Sequence, residues 1–401
     1  MNIKRKRDHQ QYAGTENCFY SRTNITTFSV CLILAFIFIL IINDDWFHWY
    51  TENSILIEVV FCIFCFALSG LNKIRFKDYR FLLIVIAYCF ISMLVNHGGL
   101  GSIFSNCFGM IWCVVLQHCK FSRKSYLYVC VLFFILFISM LNISSGSIIE
   151  SWEMGKLSYN PNTVGFFMAI SSEIILLYLE YSFPLSIIVQ AFIIIYTVIM
   201  IGRSGSRAAL AMYFLFVLLK YLIPYRFKGK RGLIIIYSAV FAIGILFPVV
   251  YVALYTRTLP MPKQILKLDG TLLRKSIFTG REVIWMDLFS LLGNSMRNWL
   301  IGVGSHMAFE RYRYEINSHN IFMTILVNFG LAGLGLYYWF YVIQIKKVFE
   351  NRKVSRIQID IVCVCISYFL LGVFETTPIW IPFAVITGLL WAMPYCLNRR
   401  I

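Results

Sequence analysis

Two arginines flank a short turn of glycine and serine at residues 202–207, whose sequence is G-R-S-G-S-R. A guanidinium group can bind a phosphate through two parallel hydrogen bonds. Ser204 or Ser206 is predicted to cap a following helix, and the exposed N–H groups of that helix start favour an anion. Arg203 and Arg207 would share a face if the helix begins early. The turn therefore indicates an anion site, and the alternative is a pair of interfacial anchors to lipid headgroups.

A third arginine opens the run G-R-E-V-I-W at residues 280–285. A cation at a helix start opposes the helix dipole, so Arg281 does not serve helix stability. It is predicted either to bind a ligand phosphate or to pair with Glu282 or Asp287.

A histidine lies in the run S-H-N at residues 318–320, just before an apolar segment. Ser318 is predicted to cap the helix, which places His319 at the membrane boundary. Histidine titrates near neutral pH and can accept or donate a proton. The alternative is an interfacial histidine bound to a backbone carbonyl. Glycines of the following segment are predicted to be close helix-packing positions: Gly330, Gly333 and Gly335.

The elements that must position these residues are membrane helices. Of the 401 residues, 59% are hydrophobic and 14% are charged, against about 45–50% and about 25% in a soluble domain. The net charge of +17 would suit nucleic acid, but the basic residues form short clusters between apolar runs, as on cytoplasmic loops. The composition predicts an all-α polytopic integral membrane protein and excludes a nucleic-acid partner.

About twelve transmembrane helices are predicted from the apolar runs. Most basic residues then fall on one side, which predicts that both termini are cytoplasmic. The run at 100–117 carries polar residues and could instead be re-entrant. The predicted spans are 26–43, 54–71, 80–96, 100–117, 125–142, 162–179, 183–201, 207–223, 232–256, 320–344, 358–374 and 378–396.

One long periplasmic loop, 257–318, is predicted between spans nine and ten of this single membrane domain (1–401). Loops of this length are uncommon unless they are functional. Within it, Arg281 to Gly293 has apolar residues at near-helical spacing and predicts an amphipathic helix on the membrane surface. No metal site and no cofactor are predicted, because the twelve cysteines form no framework with histidine and the one CxxC pair, Cys62 and Cys65, lies inside an apolar run.

Four sequence runs resemble motifs of the bacterial O-antigen polymerase and O-antigen ligase superfamily. They are G-R-S-G-S-R-A-A-L at 202–210, the loop runs G-R-E-V-I-W and G-V-G-S, and S-H-N-I-F-M-T-I-L-V-N-F-G-L-A-G-L at 318–334. The resemblance implies metal-independent glycosyl transfer at the periplasmic face of the bacterial inner membrane. It implies glycans carried on undecaprenyl pyrophosphate as donor and acceptor, with membrane lipids and a chain-length regulator protein as partners.

The resemblance also implies roles for individual residues. Arg207, Arg281 and His319 match the catalytic positions of the family motifs. Substrate-binding roles are predicted for Arg203, Ser206 and Asn320. Fixed guanidinium groups would stabilise the charge that develops on the leaving pyrophosphate, and His319 would handle the proton of the acceptor hydroxyl. Two glutamates are weaker candidates for that base: Glu310 and Glu315.

Three functions stay open at this point. A polymerase joins lipid-linked repeat units, a ligase transfers the finished chain to lipid A core, and a flippase transports the lipid-linked oligosaccharide. A flippase is expected to carry charged residues in mid-span, where this sequence has mainly Glu173. The arginines gather instead on one face of the membrane, which favours surface chemistry and a polymerase.

Overall fold

A computed structural model describes most of the chain as helices, and none of the described residues lies in a β-strand. The described residues are 31–68, 76–97, 100–117, 123–144, 160–182, 187–258, 280–304, 318–350, 354–376, 379 and 381–396. The helices are α1 (Cys31–Ile42), α2 (Asp44–Leu68), α3 (Phe76–Val95), α4 (Leu100–Leu116), α5 (Arg123–Ser144), α6 (Pro161–Ser182), α7 (Ile187–Ser204), α8 (Arg207–Val217), α9 (Lys230–Thr258), α10 (Arg281–Gly293), α11 (Met296–Ile301), α12 (Ile321–Val348), α13 (Arg356–Phe374) and α14 (Ala384–Cys396).

Seven of these helices are long and apolar enough to cross a membrane, namely α2, α5, α6, α7, α9, α12 and α13. Four shorter apolar helices, α1, α3, α4 and α14, fall on further predicted spans. The helical, strand-free fold is therefore confirmed for the described residues, and seven of its helices have the length and apolarity of membrane spans, whereas the count of twelve spans stays a prediction. Residues 26–30 of the first predicted span, and residues 259–279 and 305–317 of the predicted loop, lie outside the described residues.

Two helices, α6 and α13, form the centre of the bundle. In each of them 78% of the most apolar window is buried, against 28% in α7, whose outward side chains Ile188 and Phe192 are among the most exposed apolar residues. Both central helices pack against α8 and against each other. The first residues of α6 and α8 and the last of α13 therefore lie at one end of the bundle, close together.

Helix α10 has the predicted bounds, Arg281–Gly293. Its inner face buries Trp285, Leu288 and Leu292 against the bundle. Its outer face is less polar than an amphipathic helix requires, because Val283 and Met286 are exposed there. The helix is thus confirmed, while its outward surface is mixed.

Helix α12 is broken at Gly330, which has φ 65° and ψ −170°. A Cβ at this position would lie 2.3 Å from the carbonyl carbon of Leu300, at the end of α11. The break releases carbonyl groups from the helix ladder, and neighbours bind them: the Val303 N–H donates to Val327 O (2.7 Å) and the Tyr88 hydroxyl donates to Phe329 O (2.8 Å). Gly330 is thus a site of close backbone approach.

The packing prediction was correct for two of the three glycines in this helix. A Cβ on Gly333 would lie 3.3 Å from the Tyr88 ring, whereas nothing lies within 4 Å of one on Gly335. The prediction for Gly335 was wrong, because that side of the helix faces open space.

Gly330→Ala is expected to destabilise the protein, whereas the matched change Gly335→Ala in the same helix should be neutral or stabilising. The left-handed backbone alone costs an alanine about 1–3 kcal/mol, and the contact with Leu300 adds to it. The two variants are purified in detergent and heated, and size-exclusion chromatography monitors their unfolding. The difference between their melting temperatures is the measurement. Equal melting temperatures would show that α11 is not held in the break.

Candidate active site

A cavity of about 510 Å³ opens at the end of the bundle where α6, α8 and α13 meet. Arg207, Arg281 and His319, which come from three separate parts of the chain, all line it. The structure thus brings together the three residues predicted to be catalytic. The other lining residues are Asn160, Asn162, Gly205, Ala208, Phe247, Tyr251, Ile284, Trp285, Phe374 and Glu375.

The turn before α8 places Arg207 on the cavity wall. Helix α8 begins at Arg207, and the Ser206 hydroxyl accepts a hydrogen bond from the Ala209 N–H (3.3 Å), so Ser206 is the predicted N-cap. The turn packs on Gly165 of α6, where a Cβ would lie 2.5 Å from that of Ser206. Gly205 allows the tight turn with φ 69°.

Arg203 does not accompany Arg207. Helix α7 ends at Ser204 and α8 begins at Arg207, so the early helix start that would place the two arginines on one face does not occur. The Ser204 hydroxyl donates to Ile201 O (2.7 Å) within α7. Arg203 is exposed and is not among the residues that line the cavity.

Arg281 is the first residue of α10 and reaches across the cavity to the end of α13. Its Nη1 donates to Phe374 O and its Nη2 to Glu375 Oε1, both at 2.6 Å. The predicted alternative of pairing with Glu282 was wrong, because the Glu282 carboxylate accepts hydrogen bonds from the Gly280 N–H at 3.1 Å. Glu282 thus satisfies a backbone donor at the helix start. Arg281 is directed into the cavity instead.

His319 lies before α12 with a left-handed backbone, φ 50°. Its Nδ1 is 3.1 Å from Oε2 of Glu375. The segment is fixed by α10, because the indole of Trp285 donates to Ser318 O (2.7 Å). A histidine with positive φ is uncommon, and such residues gather at functional sites.

The N-cap of α12 is Asn320 and not Ser318, so that prediction was wrong. The Asn320 side chain accepts from the Met323 N–H (2.8 Å), and its amide donates to the carbonyls of Gly244 and Val373 (3.1 and 2.9 Å). These bonds tie α9, α12 and α13 together beside His319. Asn320 and Ser206, both predicted to bind substrate, are fully buried caps that do not line the cavity.

Glu375 is a residue of this site that the sequence did not single out. It follows α13 directly and binds three neighbours: Arg281 (2.6 Å), His319 (3.1 Å) and the amide of Asn162 (2.8 Å). Burial opposes its ionisation, but the hydrogen bond with His319 and the charge of Arg281 outweigh burial and lower the pKa of Glu375. The one available signal was an acidic residue ending a span on the side that holds the arginines.

The cavity also has an aromatic lining. Trp285 contacts the rings of Phe247 and Tyr251 edge-on, with centroids 5.8 and 5.2 Å apart, and Phe247 contacts Phe374 at 5.1 Å. Such a cavity combines charged groups that can bind an anion with aromatic rings that can pack against an apolar surface. Among the residues that the structure describes, no group of three or more metal-ligating side chains occurs. Glu310 and Glu315, the other predicted bases, lie outside the described residues.

Comparison of the chain with protein-family models, with curated proteins and with solved structures finds no match. The resemblance to the O-antigen superfamily is therefore an expectation from the four sequence runs alone.

Proposed function

We propose that the chain is a surface-polysaccharide polymerase that joins undecaprenyl-pyrophosphate-linked repeat units at the periplasmic face of the bacterial inner membrane. The observation that carries the proposal is the convergence of Arg207, Arg281 and His319 in one cavity. Distant chain segments that deliver two guanidinium groups and a histidine to one cavity suit a reaction with an anionic leaving group.

In the proposed reaction, the acceptor hydroxyl attacks the anomeric carbon of the donor glycan. A new C–O bond forms, the bond from that carbon to the phosphate oxygen breaks, and the electron pair leaves with the lipid pyrophosphate. Arg207 and Arg281 stabilise this charge. Direct attack inverts the anomeric centre.

The acceptor proton passes to His319 in this scheme. Its Nδ1 is bonded to Glu375, and an ionised carboxylate can only accept, so Nδ1 carries a proton in the neutral ring. Nε2 is then the basic nitrogen and the one assigned to the acceptor hydroxyl. Glu375 thus acts as a positioning residue that sets the tautomer.

The proposed topology has twelve spans with both termini in the cytoplasm. It places the cavity, at the end of the bundle holding Arg207 and Glu375, on the periplasmic face. At this end, Gly205 and Ser206 join the end of α7 to the start of α8. An anion at this end meets a helix N-terminus, that of α8, beside the two guanidinium groups.

A deletion strain of the source bacterium is expected to make lipopolysaccharide whose core carries a single repeat unit. That profile identifies a polymerase, because ligation continues while elongation stops. Bare core with polymer retained on undecaprenyl lipid would instead identify the ligase, which uses the same donor chemistry. Accumulation of unpolymerised lipid-linked units on the cytoplasmic leaflet would identify a flippase and overturn the proposal.

A further inference from the structure

Arg281 is already engaged by an anion of the protein itself. Its two terminal nitrogens donate to Phe374 O and to the Glu375 carboxylate at 2.6 Å. These nitrogens form the fork that binds two oxygens of a phosphate side by side. A phosphate that approaches Arg281 through this fork must therefore displace the carboxylate.

The surroundings of Glu375 resemble an anion site that is filled from within. Three side chains from different elements bind the buried carboxylate: Arg281 of α10, His319 before α12 and Asn162 of α6. Two of the three, Arg281 and His319, are the residues assigned above to the substrate. The carboxylate thus occupies the ligand's partners and neutralises one of the two guanidinium charges at the cavity.

We propose that Glu375 is an internal counter-ion that competes with a ligand's pyrophosphate group for Arg281. It keeps the charges of the empty cavity paired and weakens the binding of anions. In a glycosyl transferase, and on this point the inference rests on the proposed function, the same competition hastens departure of the lipid pyrophosphate product. Removal of the carboxylate should then tighten anion binding and slow turnover.

Inorganic pyrophosphate is the probe, titrated calorimetrically into the full-length protein purified in detergent. Glu375→Gln keeps the size and hydrogen-bonding shape of the side chain and removes its charge. We expect binding to become about tenfold tighter, because a like charge beside the phosphate is lost. Glu375→Asp, which shortens the carboxylate, should give a smaller gain and covers the case in which the glutamine variant does not fold.

Two controls locate the competition. Glu282→Gln removes a second carboxylate of the same region, the one that accepts the Gly280 N–H. This variant should leave the affinity for pyrophosphate unchanged. In an Arg281→Ala background, Glu375→Gln should no longer tighten binding, because the shared partner is gone. A gain that persists without Arg281 would overturn the proposal.

The outcomes separate a competing anion from a structural one. A carboxylate that only holds the fold together would, when replaced, lower pyrophosphate affinity and thermal stability together. Unchanged or weaker binding by folded Glu375→Gln and Glu375→Asp proteins would refute the inference. A tenfold gain in affinity, together with a deletion strain of normal glycan profile, would keep the anion site and refute only the glycosyl transferase.

Discussion

Replacement of Arg207 or Arg281 by lysine is expected to lower polymer formation by about 10²–10³-fold, the loss typical when one preorganised donor to a developing oxyanion is removed. Lysine retains the charge but not the planar fork. The two terminal nitrogens of Arg281 donate to Phe374 O and to Glu375 at the same time. The single ammonium group of a lysine cannot reproduce this planar pair of hydrogen bonds.

Arg203→Lys is the matched control for this experiment. Arg203 lies four residues before Arg207, on the other side of the same turn, yet it is exposed and does not line the cavity. Complementation of the deletion strain, with lipopolysaccharide ladders compared at equal membrane levels of each variant, measures the effect. Wild-type ladders from both the Arg207 and Arg281 variants would remove the arginines from the reaction.

His319→Asn is expected to slow polymerisation by about 10²–10⁴-fold, the usual contribution of a positioned proton acceptor. Asparagine is chosen because His319 has φ 50°, a left-handed conformation that asparagine tolerates better than alanine. The variant therefore removes the base with little cost to the backbone. Initial rates of polymer formation from purified lipid-linked repeat units give the measurement.

His48→Asn serves as the control for position 319. His48 is exposed on α2 and pairs with Glu52 at 3.4 Å, away from the cavity-lining residues. The His48→Asn variant should form polymer at the wild-type rate. A loss of less than tenfold in His319→Asn would assign His319 a structural role, since proton transfer by a positioned group contributes more than that.

The helices could be predicted from the sequence because long apolar runs leave few other conformations in lipid. The bounds of α10, Arg281–Gly293, followed from helical spacing. The N-cap Ser206 followed from the preference of serine for that position. The spacing of Arg207, Arg281 and His319 does not require them to meet. Their convergence was expected only from the resemblance to a family.

What the sequence could not predict depends on contacts between distant segments. Glu375 became part of the site through bonds to Asn162, Arg281 and His319, and no local pattern encodes such pairings. Ser318 and Asn320 are equally good caps by residue type. The carbonyl of Gly244, on another helix, favours Asn320 by accepting its amide.

The break at Gly330 was also beyond the sequence. Gly330, Gly333 and Gly335 lie close together in one helix, and each could have been a kink. Only at Gly330 does the backbone of α11 approach, with Leu300 in contact. The position of α11 in turn depends on how α3 and α12 pack, which is a property of the whole bundle.

Several polar residues of the cavity lie at the ends of helices, and aromatic rings line the same cavity. Arg207 begins α8, Glu375 follows α13 and Asn162 lies in the first turn of α6. In such a scaffold, the charged residues at the helix ends and the aromatic lining residues can change independently of each other. If the chain is the proposed polymerase, substitutions of the aromatic lining residues change which sugars are accepted, while the helix ends that hold the charged residues stay in place. In the proposed polymerase, the product can then change while the reaction stays the same.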